Sequence, residues 1–228
     1  SQGRVLLGVG IGAYAEEFTS MFGSKVLGFK RGEMLDEGLK ALRLLWEEQC
    51  ASFEGKYYDF KEIESYPKPL QKPLPIYIGG NSPMGRKREV DYGNGWLPAV
   101  LSPSEVKDGI AEMKKYSNEI GKELNDLDVA PQLAVCLGAT QEEAEKKFAE
   151  SQLYKHFESL KKSTLKNQDS NYSQRNLVGT VETVGEKIEE YLEAGVTTFS
   201  ALLFATNTLV GFLEMMQQFA EEIIPAFK

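Results

Sequence analysis

Residues 5–14 read "VLLGVGIGAY". Gly8, Gly10 and Gly12 follow an apolar run and lead into the acidic, helix-like "AEEF". Two readings of these glycines compete. "GVGIGA" satisfies G-x-G-x-x-G/A, the fingerprint of a dinucleotide-binding turn. That turn needs a helix at once and then a second strand ending in an acid about 20 residues on. Here a stretch of mostly helical pattern follows, broken at "GSKVLG" (23–28), with no convincing strand, and Glu33, near the acid's distance, lies inside the helical pattern. The other reading is that glycines at a strand's carboxyl end let the backbone turn sharply and admit a ligand close to it. In a barrel of parallel strands, that end is where ligands bind.

The rest of the chain favours the second reading. "RVLLGVG", "LPIYIGG", "GWLPAV", "DVAPQLAVCLG" and "VTTFSALLF" read as strands, with amphipathic helices between and after them. In residues 30–49, Leu35, Leu39, Leu42 and Trp46 paint one helical face, as do Val106, Ile110, Met113 and Ile120 after Pro103. Leu209, Phe212, Leu213, Met216, Phe219 and Ile223 mark a last helix. Ser102 with Glu105, and Thr140 with Glu143, have capping-box spacing, while Ser82-Pro83 and Ser102-Pro103 set a capping hydroxyl before a first-turn proline. Strand followed by helix, five times over, predicts an α/β domain with parallel pairing, spanning residues 1–228 as one unit. Two stretches break the rhythm. Residues 50–73, rich in aromatics and proline, read as a small hairpin and an extended crossing segment. Residues 151–178 are polar and loosely patterned, and read as a mobile lid.

Composition narrows the chemistry. The 228 residues can bury a full core. No apolar run approaches the ~20 residues of a membrane span, and no basic-then-apolar leader is visible. A net charge of −8 without a Lys/Arg block argues against nucleic acid. Cys50 and Cys136 read as reduced, mostly buried thiols of a cytoplasmic protein. His156, the single histidine, sits in the polar "YKHFESLKK", reads as an exposed helix position and cannot by itself make a metal site. Structural zinc spacing and a nucleophile elbow are both missing, which points to chemistry carried by a cofactor.

Two features suit an anion. "IYIGGNSP" runs a buried strand into Gly79, Gly80, Asn81 and Ser82, the last a cap for the next helix. Exposed amides at a helix start carry partial positive charge and suit a phosphate; the alternative is a tight turn with a routine cap. Arg31 lies four residues before Leu35 on the inward stripe, in the first turn of its helix, where a guanidinium can grip phosphate. A structural salt bridge to a nearby acid is the rival role. Trp96 in "GNGWLP" reads as packing at a strand end.

These segments together resemble the bacterial-luciferase-like oxidoreductases. The likeness is carried by "GRVLLGVGIG", "LRLLWEEQCASFEGKYYDF", "PKPLQKPLPIYIGGNSP", "YGNGWLP", "LVGTVETVGEKIEEYLEAGV" and "FAEEIIPAF", and it runs through essentially the whole chain. The resemblance implies an eight-stranded parallel TIM-type (β/α)8 barrel that uses FMN or a deazaflavin and no metal. Its cofactor phosphate would lie on Arg31 and on Gly79, Gly80, Asn81 and Ser82, with Gly10 and Gly12 admitting the cofactor. Some members carry an arginine where this chain has Ile11. The residues match only the last five βα units, so an incomplete barrel lacking about the first three is expected. The family's catalytic residues and its ring-stacking residues usually lie in those first units, so no catalytic residue can be assigned. "EEF…FG…FKRGEML" and "IYIGGNSP" lean toward deazaflavin-using members. The implied partners are a small-molecule substrate, a flavin reductase and a second copy in a homodimer, with no nucleic acid and no membrane. The implied activity is that of a flavin-dependent oxidoreductase or monooxygenase. The alternatives are a non-catalytic flavin-binding protein and an inactive truncated fragment.

Overall fold

The computed structural model describes residues 2–23, 28–124, 126–166 and 168–227. Nine strands and eight α-helices are found among them. Strand β1 (Leu7–Val9) is followed by α1 (Ala15–Phe22) and α2 (Arg31–Glu47). A hairpin of β2 (Ala51–Glu54) and β3 (Asp59–Ile63) comes next. Then β4 (Ile76–Gly79), α3 (Pro83–Tyr92), β5 (Gly95–Leu97) and α4 (Pro103–Glu119) alternate. Strands β6 (Asp128–Val129) and β7 (Gln132–Leu137) are one strand interrupted at Ala130-Pro131. They lead to α5 (Gln141–Ala149), α6 (Gln152–Leu160), β8 (Leu177–Gly179), α7 (Val181–Glu193), β9 (Ala201–Phe204) and α8 (Leu209–Gln218). A π turn over Phe219–Ile223 and a 3-10 turn over Ile224–Phe227 follow.

Apart from the antiparallel hairpin, every strand pairing is parallel. One sheet runs β1-β4-β5-β6 and another β8-β7-β9. A bridge between Ala99 and Gln132 joins them, so the strands form one curved series in which β9 lies across β7 from β5. Parallel pairing puts the carboxyl ends of all these strands on one rim. Helix starts lie on the same rim, which brings the turns after β1, β4, β5 and β7 together.

The main core packs Trp96, Val106, Met113, Leu133, Val135 and Tyr191 between the β5–β9 strands and helices α4 and α7. Gly109 of α4 makes room for Trp96: a Cβ there would stand 2.4 Å from the indole. Leu39 of α2 packs on Ile76 and Ile78 with Leu35 and Trp46 beside it, as the helical spacing predicts. The Ser102–Glu105 capping box forms in both directions. Thr140 caps Glu143, but the Glu143 carboxylate reaches back to the Ala139 amide rather than to Thr140.

Four expectations need correction. Residues 151–178 are a packed unit rather than a loose, mobile lid. Phe157, Leu165 and Tyr172 are buried with Phe148 in a cluster of edge-to-face rings, and β8 lies within the segment. Leu153, Phe157 and Leu160 do share one face of α6, but Leu165 and Tyr172 come from the turns that follow, where no helical or strand period marks them. The α8 stripe is mostly uncovered: Leu209, Leu213 and Met216 are exposed and only Phe219 and Ile223 are buried. Phe204 is met edge-on from both sides of this stripe, by Phe212 of α8 at 5.8 Å and by Phe219 just past α8 at 5.7 Å. Ile120 ends its helix exposed. Cys50 is exposed too, because it sits in the turn into β2, whereas Cys136 is buried in β7 and its thiol is pushed up to about 11 by burial. Part of the break at 23–28 lies outside the described residues. Among those that are described, no strand separates α1 from α2.

Candidate functional site

Two backbone bends stand side by side on the rim. The first follows β1. Gly12 has φ +76°, and a Cβ there would lie 2.6 Å from the Phe18 ring, so the turn requires glycine twice over. Arg31 opens α2 and its Nη1 donates to the carbonyls of Gly12 (2.8 Å) and Ile11 (3.3 Å). Its guanidinium also sits 5.6 Å from the Phe18 ring centre, a cation–π contact. Arg31 therefore lies at the first bend, on the predicted rim. Among the described residues it pairs with no acid, so the salt-bridge role is replaced by a hold on two carbonyls. Glu33 faces the hairpin instead: it binds Lys30 (2.7 Å) and Lys56 (3.3 Å), and the Lys30 contact holds its carboxyl below the usual range. That removes the acid the dinucleotide reading needs.

The second bend follows β4. A Cβ on Gly79 would stand 3.3 Å from the Val9 carbonyl, so its absence lets the ends of β1 and β4 close up. Gly80 has φ +134°; its amide donates to Leu97 O (3.4 Å) and its carbonyl accepts from Trp96 Nε1 (2.9 Å). The buried indole thus ties the core to the bend. Asn81 is a staple: its Oδ1 accepts from the Ala99 amide (2.9 Å) and its Nδ2 donates to the Ala99 carbonyl (2.8 Å). Ser82 Oγ accepts from the Gly85 amide (3.1 Å) and Pro83 fills the first helical position. The side chains of Asn81 and Ser82 are therefore committed to the fold. What the bend offers is backbone: no described residue accepts from the amides of Asn81, Ser82 or Met84. These point from the start of α3, where the helix dipole adds positive potential. A Cβ added at Gly10 or at Gly80 meets nothing within 4 Å, so open space adjoins both bends.

The two helices that begin here are locked together. Arg88, buried on α3, pairs with Asp36 of α2 and also reaches Gly32 O (3.4 Å). Arg86 bridges Asn81 O (2.6 Å) and Glu112 of α4 (2.6 Å). The segment 151–178 arrives at the same rim. Gln168 Nε2 donates to Ala99 O (3.3 Å), the carbonyl already held by Asn81, and Arg175 binds Glu105 in the first turn of α4. Trp96 stands in the middle of β5, fully buried in the core rather than at the strand's end, while His156 is exposed as the sequence suggests. No group of acids, cysteines and histidine suited to a metal ion occurs among the described residues, and no described helix is long and apolar enough to cross a membrane.

At the opposite end of the strands lies a group that sequence patterning did not single out. Glu89 of α3 is 1% exposed and lies against Gly93, and its Oε2 has no hydrogen-bond partner. Burial pushes its carboxyl up to about 8, against the pull of the Ile78 and Gly95 amides and of Lys122. A sequence signal existed only in retrospect: an acid beside Val90 on a helix whose capping serine fixes which face turns inward.

In barrels of parallel strands, ligands bind at the rim formed by the carboxyl ends of the strands, where these two glycine bends and the start of α3 lie. The family model for luciferase-like monooxygenases matches residues 1–198, and the chain belongs to that family. It is 36% identical over 98 residues to an F420-dependent glucose-6-phosphate dehydrogenase of Amycolatopsis mediterranei, covering 42% of this chain and 29% of that protein. The chain spans well under half the length of the curated relatives it matches. Its fold resembles that of an F420-dependent secondary alcohol dehydrogenase solved with an F420-acetone adduct: TM-score 0.75, 23% identity, 99% of this chain and 70% of that one. It also resembles the FMN-bound oxygenating constituent of 3,6-diketocamphane monooxygenase from Pseudomonas putida: TM-score 0.67, 21% identity, 98% and 71%. The family is one of oxidoreductases and monooxygenases that use FMN or F420.

Proposed function

We propose that this protein is an F420-dependent oxidoreductase acting on a small organic substrate, with the cofactor's phosphate seated between the turns after β1 and β4. The observation that carries this reading is the juxtaposition of the two bends, with open space at Gly10 and Gly80 and the Arg31 guanidinium on the same rim. The residues fit an anion, since the Asn81, Ser82 and Met84 amides lack acceptors among the described residues and α3 starts beneath them. A relative of 36% identity with a named activity is F420-dependent, which favours the deazaflavin over FMN. When bound, the deazaflavin supplies hydride transfer, and the protein supplies position and shelter.

In this reading the three amides bind phosphate and Arg31 adds charge through Nε and Nη2, which its carbonyl contacts leave available. The Asn81 staple and the Trp96–Gly80 bond hold the amides in place, so little reorganisation is needed on binding. We propose further that β1, β4, β5, the β6–β7 strand and β9 are five of the strands of an eight-stranded barrel, a reading supported by the likeness to the alcohol dehydrogenase, of which 70% is covered.

The test is equilibrium titration of the protein with F420 and, separately, with FMN, followed by absorption and fluorescence. Saturable binding of F420 with weaker binding of FMN is expected. Preferential binding of FMN would move the protein to the flavin-using branch, and binding of neither would overturn the proposal.

A further inference from the structure

The turn after β1 is tied to a helix far away in sequence. Tyr14 is the residue just before α1, yet its side chain does not cap that helix. Its phenol reaches α6 instead, 2.8 Å from Ser159 Oγ and 3.4 Å from His156 Nδ1. The Tyr14 and His156 rings lie 6.5 Å apart, tilted by 53°. Ser159 Oγ donates to the His156 carbonyl at 2.7 Å, which uses its only proton. Tyr14 must then donate to Ser159, and the contact at Nδ1 needs a proton on the imidazole. The three groups close a ring of hydrogen bonds: His156 Nδ1 to Tyr14, Tyr14 to Ser159, and Ser159 to the His156 carbonyl.

The position of this ring matters more than its strength. Tyr14 is two residues from Gly12, whose carbonyl holds Arg31. At its other end α6 is pinned by Asn207, just past β9, which accepts from the Gln152 amide (2.8 Å) and donates to Glu150 O (3.1 Å). Helix α6 therefore runs from the end of β9 to the end of β1. Phe157 anchors its buried face in the aromatic cluster, while the contacts to Tyr14 are exposed and breakable.

We infer that Tyr14, His156 and Ser159 form a clasp that holds α6 to the bend carrying the Arg31 contact, so that this side of the rim opens when the ring of hydrogen bonds breaks. Its role as an entrance rests on the cofactor seat proposed above; the clasp itself does not. Tyr14→Phe removes the donor and Ser159→Ala the acceptor from opposite sides, and neither touches the packed cluster. Hydrogen exchange of the ligand-free protein is the measurement. Tyr14→Phe should speed exchange in α6 roughly three- to tenfold, and Ser159→Ala should do the same in residues 10–18, the loss of about one net hydrogen bond. The double variant should go no further than either single one, because both break the same link. The melting temperature should fall by no more than about 4 °C. Exchange unchanged across the contact, or effects that add, would overturn the clasp. Because no cofactor is present, failure of the seat to bind F420 would leave this result standing.

Discussion

Replacing Glu89 by Gln should invert the usual expectation that removing a charge partner costs stability. The side chain is 1% exposed, Oε2 lacks a partner, and the carboxyl is pushed from an ordinary 4.5 to about 8. The folded protein therefore holds this proton over a range in which the unfolded chain has released it. With more protons bound when folded, stability falls as pH rises from about 4.5 to about 8, and then levels off. The full span corresponds to about 5 kcal/mol, and the part between pH 6 and 8 to about 2 kcal/mol. Gln is neutral throughout and nearly isosteric, so Glu89→Gln should lie close to wild type at about pH 5. It should be more stable by several kcal/mol at about pH 9. The groups around it titrate elsewhere. Tyr77, whose hydroxyl donates to Asp128, is pushed up to about 12 by burial, and Asp128 is held low by Thr197 and Tyr77 despite its own burial. Lys122 spans the Val90 and Asp91 carbonyls and Arg43 binds Tyr92 O, so the end of α3 stays capped in both proteins. Urea unfolding across this pH range is the assay. Parallel curves for the two proteins would refute the buried, protonated acid.

Other predictions concern the rim and the hairpin. Asn81→Ala should cost about 1–3 kcal/mol in urea unfolding, because it leaves the Ala99 amide unpaired and the Ala99 carbonyl with Gln168 alone, and a smaller loss would show that the staple is slack. Gly12→Ala should cost about 1–3 kcal/mol through its positive φ alone, with a further penalty from Phe18; a thermal melt like wild type would contradict that turn. Glu37→Ala should speed hydrogen exchange in residues 51–63, since its carboxylate accepts from the amides of Lys56, Tyr57 and Tyr58. Those amides hold the Glu37 carboxyl below its usual range, so the hairpin should also loosen in acid, as pH falls through that lowered value.

Sequence made the scaffold readable because period and punctuation agreed. The stripe through Leu35, Leu39 and Trp46, the Ser102–Glu105 box and the Ser82-Pro83 start all fall where the chain folds that way. The strands were readable as apolar runs closed by Gly79-Gly80 or Gly138. The placement of partners was not. Nothing local says that the Asn81 amide closes on Ala99 rather than on a ligand, or that Arg31 rests on the Gly12 carbonyl. Those contacts depend on strands and helices brought together across the sheet. The segment at 151–178 hid a core for a related reason. Phe157 comes from α6 and Leu165 and Tyr172 from the turns after it, without a common period, and Arg175 settles on Glu105, seventy residues earlier. Leu209 and Leu213 misled in the opposite direction, since an apolar stripe records what could be covered and not what is.

All of the functional account depends on the bends after β1 and β4 receiving an anion with Arg31 beside them. The direct measurement is the affinity of Arg31→Ala for F420 relative to wild type, with the fold checked by circular dichroism. Loss of a charge-assisted contact worth about 1.5–3 kcal/mol should weaken binding roughly tenfold to a hundredfold. Equal affinity in the two proteins would contradict it.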